Sequence, residues 1–121
     1  METKEFESAI IEAVAMVPAH IRRRIENVAF VIDDTDRGHL LGLYHGIPLP
    51  RRHQGYSGVL PDKITIYQKT IEAVAGDSPA RLRQLIIETV HHEIAHYFGF
   101  SEAEVRRWEK GRRKRTGGRD A

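Results

Sequence analysis

The chain has 121 residues, enough for one hydrophobic core and too few for two comfortable ones. With 40% apolar and 30% charged residues and no cysteine, it is neither a disordered or fibrous chain nor a disulfide scaffold. Its apolar runs fall far short of the roughly 20 residues that a bilayer span needs. The net charge of +2 is unevenly spread, because Arg106, Arg107, Lys110, Arg112, Arg113, Lys114, Arg115 and Arg119 crowd the C-terminal end.

In chain order, Phe6, Ile10, Ile11, Ala13, Val14 and Val17 recur at helical spacing, which predicts a core helix from Glu2 or Thr3 to about Met16, stopped by Pro18. Met1 to Glu5 has mixed charge and opens no leader-like pattern, so cytoplasm is the default expectation. A shorter helix is expected over Ala19 to Asn27. The β-branched and aromatic run Val28 to Ile32 then reads as a buried strand ended by Asp33 and Asp34, with a polar turn to Gly38. Leu40 to Tyr44 reads as a second strand. Between Leu49 and Val59, prolines and glycines predict an exposed loop. Ile64 to Tyr67 is the third expected strand, and a short helix follows near Ile71 to Ala75.

The next signals are stronger. Asp77 or Ser78 can cap a helix whose first residue is Pro79, and Gly99 suits its C′ position, so a long helix should run to about Phe98. Ser101-Glu-Ala-Glu104 has the capping-box form for a last helix to about Arg113. These elements make an α+β domain over residues 1–113, with 114–121 as a basic flexible tail. The expected architecture is a small mixed sheet of about three strands packed on a buried long helix with flanking helices.

On that long helix stands His92-Glu93-Ile94-Ala95-His96, the H-E-x-x-H pattern. At about 100° per residue the two histidines lie about 40° apart and one turn along the axis, so both imidazoles can reach one ion. Glu93 points to a neighbouring direction, where it can contact a metal-bound water without ligating the metal. Ile86, Ile87, Val90 and Ile94 form the helix's apolar face, extended by Leu82 and Leu85, and Arg81, Gln84, Glu88 and His91 form a polar stripe. Catalytic zinc usually takes three protein ligands. After the turn at Gly99, Glu102 is the candidate for the third, against the simpler role of a first-turn acid complementing a helix dipole. The scattered His20, His39, His45 and His53 read as surface or satisfied residues.

The string His92-Glu-x-x-His96-x-x-Gly99-x-x-Glu102, with Leu41-Gly-Leu-Tyr-His-Gly-Ile-Pro-Leu49 and Pro61-Asp-Lys-Ile-Thr-Ile-Tyr67, resembles the small bacterial minimal zincin metallopeptidases, which are related in site geometry to the metzincins. The resemblance covers roughly Val28 to Arg107. It implies a zincin-like fold, Zn²⁺ held by His92 and His96, and Glu93 as the acid/base that hydrolyses a peptide or protein substrate. That family usually carries Asp where this chain has Glu102, and no methionine follows Met16, so the metzincin Met-turn is missing. The resemblance further implies that the strand near Ile64 to Tyr67 edges the cleft. Tyr67 or Tyr97 is the candidate to assist the oxyanion on residue type alone.

Two other readings belong to different classes. One is a zinc-binding regulatory or interaction module without turnover. The other gives the basic tail a nucleic-acid or acidic partner, although such tails are more often solvated helix ends.

Overall fold

The computed structural model describes residues 1–35, 38–47, 61–101, 103, 104 and 107. The elements run α1 (Thr3–Ala15), α2 (Ala19–Arg22), β1 (Val28–Asp33), β2 (Gly42–His45), β3 (Asp62–Tyr67), α3 (Gln68–Ala75) and α4 (Pro79–Tyr97). The expected short helix over Ala19 to Asn27 is a single turn, because Arg24 and Ile25 continue only through turn hydrogen bonds to Ile21 and Arg22. Asn27 then takes a positive φ of 56° that reverses the chain into β1. The expected loop at Leu49 to Val59, Glu102 and the tail 114–121 lie outside the described residues.

Among the described residues the sheet is three-stranded and mixed, in the order β1-β3-β2. β1 pairs parallel to β3 with Phe30 opposite Ile64 and Ile32 opposite Ile66, and β2 pairs antiparallel to β3 with Tyr44 opposite Ile64. Position in the sheet explains burial. Ile64, Ile66 and Tyr67 of the middle strand are buried, whereas β1 is half-buried along most of its length. A strand flanked on both sides has no backbone edge to offer, so β3 does not edge a cleft as the resemblance implied.

The core forms where α1 and α4 cover the sheet. Phe6, Ala9, Ile10 and Ala13 of α1 meet Ile86, Val90 and Ile94 of α4 above Ile64 and Ile66, and Ile71 of α3 closes the side. Burial of such side chains, at roughly 1.5–3 kcal/mol each, is the main force holding α4 against the sheet. Among the described residues no helix is long and apolar enough to cross a membrane.

A buried carboxylate ties the ends of β2 and β3 together. Asp62 accepts hydrogen bonds from the Tyr44 hydroxyl and from the Ile47 amide, and a Cβ at Gly46 would collide with its carboxyl group. The turn after β2 can therefore close over Asp62 only because residue 46 lacks a side chain.

Candidate metal centre

Local chemistry sets both ends of α4. The Ser78 hydroxyl accepts from the Arg81 amide at 3.1 Å, and Pro79, which has no amide hydrogen to leave unsatisfied, begins the helix. At the other end Gly99 adopts φ 90°, its amide donates to His96 O at 2.9 Å, and the Phe100 amide donates to Ala95 O at 3.0 Å. That pair of bonds is a Schellman cap, and its left-handed residue explains the glycine. The capping box follows: Ser101 N donates to Glu104 Oε1 at 3.1 Å and Glu104 N to Ser101 Oγ at 3.2 Å. These hydrogen bonds stabilise the ionised carboxylate and hold Glu104 below the usual carboxylate range.

His92 and His96 project side by side from α4, with ring centroids 4.9 Å apart and planes at 69°. Both are half-buried, between solvent and core. His96 Nδ1 lies 3.0 Å from the Phe100 carbonyl oxygen. A carbonyl only accepts, so in the neutral ring Nδ1 carries the proton and Nε2 has the lone pair. The cap that ends the helix thus also sets the tautomer of the second histidine.

Glu93 is 7% exposed and lies under the sheet. An added Cβ at Gly42 of β2 would stand 3.3 Å from Glu93 Cγ and 2.7 Å from Thr89 Cγ2. The absence of a side chain at residue 42 therefore lets β2 cross directly over α4 beside the carboxylate. The sequence supplied a signal for this, a glycine inside a strand pattern, which marks close backbone approach.

The other expected site residues fall elsewhere. His91 does not lie on a polar stripe: it is 8% exposed, and its Nε2 donates to Ala13 O of α1 at 2.8 Å. Tyr97 is fully buried. Its hydroxyl accepts from Glu26 N at 3.0 Å and faces the Arg24 and Glu26 carbonyls at 3.3 Å, which commits it to holding the α2–β1 connection and corrects its expected part at an oxyanion. Its ring meets Tyr44 edge-on at 6.1 Å. Tyr67 is buried at the end of β3.

An apolar groove of about 550 Å³ opens between α4 and the α1–α2 turn, lined in part by Met16, Ile21, Ile94 and Phe98. Its lining includes neither His92 nor His96, and Ile94 lies about 160° around the helix from both, so the groove does not open onto the two histidines. Among the described residues no group of three His, Cys, Asp or Glu side chains is placed to hold a metal ion. His92 and His96 could each offer a ring nitrogen to a metal, and Glu102, the candidate for the third ligand, is outside the described residues.

Compared with known proteins, residues 14–112 match the family model described as zincin-like metallopeptidase. No curated protein matches the chain. The matched span runs from the last turn of α1 through all of α4 and beyond the capping box.

Proposed function

The chain belongs to the zincin-like metallopeptidase family, and from that membership we propose that it is a zinc-dependent peptidase using His92, His96 and Glu102 as metal ligands and Glu93 as general base. The observation that carries the assignment is the orientation of the histidine pair, with His96 locked by the Phe100 carbonyl so that Nε2 is the donor nitrogen. Two imidazoles and a carboxylate form a donor set suited to zinc, leaving a position open for water. Zinc, when bound, lowers the pKa of its water and polarises a carbonyl oxygen.

The chain's own residues supply the rest. Glu93 follows His92 directly, so its carboxylate stands beside the ligands and not among them. It takes the proton of the attacking water and returns it to the departing amine nitrogen. Burial beneath β2 keeps bulk water from competing for that proton. Gly42 of β2 borders Glu93, so a peptide reaching that carboxylate would pass beside β2.

Native mass spectrometry of the parent, Glu102→Ala and Glu93→Gln proteins tests this reading, together with a peptide-library digest. One zinc per chain, loss of zinc in Glu102→Ala, and retained zinc without cleavage in Glu93→Gln are the expected results. No zinc after reconstitution, or cleavage undiminished in Glu93→Gln, would overturn it.

A further inference from the structure

β1 pairs with β3 on one side, and among the described residues no strand lies on its other side. Outer strands are usually guarded by lysine, proline or short length. β1 has six residues, with neither proline nor charge from Val28 to Ile32. Helix α1 borders the same face. Glu7 and Ile11 share one shallow groove with Val31 and Asp34, and Ile11 and Ala15 share the adjoining groove with Arg22 and Phe30. α1 therefore runs opposite to β1, with Glu7 near Asp34 at one end and Ala15 near Arg22 at the other. Between those ends Ile11 is 68% and Val31 37% exposed.

We infer that this face joins two copies of the chain about a two-fold axis, β1 pairing antiparallel with its counterpart to make one six-stranded sheet. Charge selects a second copy as the occupant. The face is acidic at Glu7 and Asp34 and basic at Arg22, and a two-fold axis between them sets each acidic end against the other copy's basic end. Arg22 is held there by donating from one nitrogen to Ala15 O at 2.9 Å and Val17 O at 3.0 Å. α1 and β1 are each about 20 Å long, so the reversed copy brings Ile11 and Val31 onto their own counterparts at the centre. The same step pairs the side of β1 that carries no strand among the described residues and covers the exposed apolar centre.

Sedimentation velocity of the full chain over a concentration series tests the inference. The expected result is a reversible dimer. Val31→Lys, at an exposed position, converts it to monomer with unchanged far-UV circular dichroism. Glu7→Arg and Arg22→Glu each weaken association by about tenfold or more. An equimolar mixture of these two variants recovers it, because each reversed charge then faces its opposite only in the antiparallel arrangement. Val31→Lys keeps the test decisive where Arg22→Glu disturbs the end of α1. A monomer at every concentration, a dimer indifferent to Val31→Lys, or a mixture no stronger than its components would overturn the inference.

Discussion

Gly42→Ala is the sharpest probe of how the sheet meets the candidate site. The new methyl would stand 2.7 Å from Thr89 Cγ2, 3.2 Å from the Thr65 carbonyl oxygen and 3.3 Å from Glu93 Cγ. Thr89 must yield by roughly 0.7 Å to reach ordinary contact at 3.4 Å, and the carbonyl belongs to the middle strand, which is paired on both sides. Overpacking of this kind costs about 1–3 kcal/mol. Removing a glycine from a strand returns about 0.5 kcal/mol through the unfolded state. The net loss is therefore about 1–2 kcal/mol, a fall in Tm of roughly 4–8 °C for a domain of this size. Movement of Glu93 by a few tenths of an ångström should also lower kcat about tenfold, because general-base geometry tolerates little displacement. Urea unfolding followed by circular dichroism gives the first quantity, and turnover of a peptide found in the library digest gives the second. Thr89→Ser removes the nearest atom, so the double variant should be about 1 kcal/mol more stable than the two single effects added. A Gly42→Ala protein within about 0.3 kcal/mol of the parent and with unchanged kcat would refute the close approach of β2 to Glu93.

Other perturbations separate support from chemistry. Tyr97→Phe removes the hydroxyl bonded to Glu26 N and should cost about 1–2 kcal/mol in urea unfolding, while zinc stoichiometry and kcat stay within about twofold of the parent. His91→Leu removes the donor to Ala13 O, which still receives the Met16 amide at 3.3 Å, so about 1 kcal/mol is expected in the same assay with zinc retained. The capping box should respond to acid. Glu104 titrates below its ordinary value when folded, so its contribution is fully present above the unfolded value and is lost as pH falls through the lower, folded one. The Ser101 amide resonance, followed by NMR through that range, should shift with Glu104 protonation, and Glu104→Gln should remove the shift.

Sequence alone determined the elements whose signals are local. The Ser78-Pro79 start and Gly99 end of α4, the Ser101–Glu104 box and the neighbourly spacing of His92 and His96 all follow from hydrogen bonds and steric limits within a turn or two of chain. The three strands were readable for the same reason, from residue type and alternation. Their order was not. Which strand takes the middle depends on pairings between residues far apart, such as Phe30 with Ile64, and only tertiary structure puts β3 between β1 and β2. His91 illustrates the same division: a helical projection assigns it to solvent by polarity, but the Ala13 carbonyl of another helix makes its burial affordable. Likewise Gly99 announced the turn after α4, whereas the use of that turn's Phe100 carbonyl to orient His96 required the folded backbone. Local sequence specifies which groups a segment carries, and packing between distant segments decides which of those groups meet.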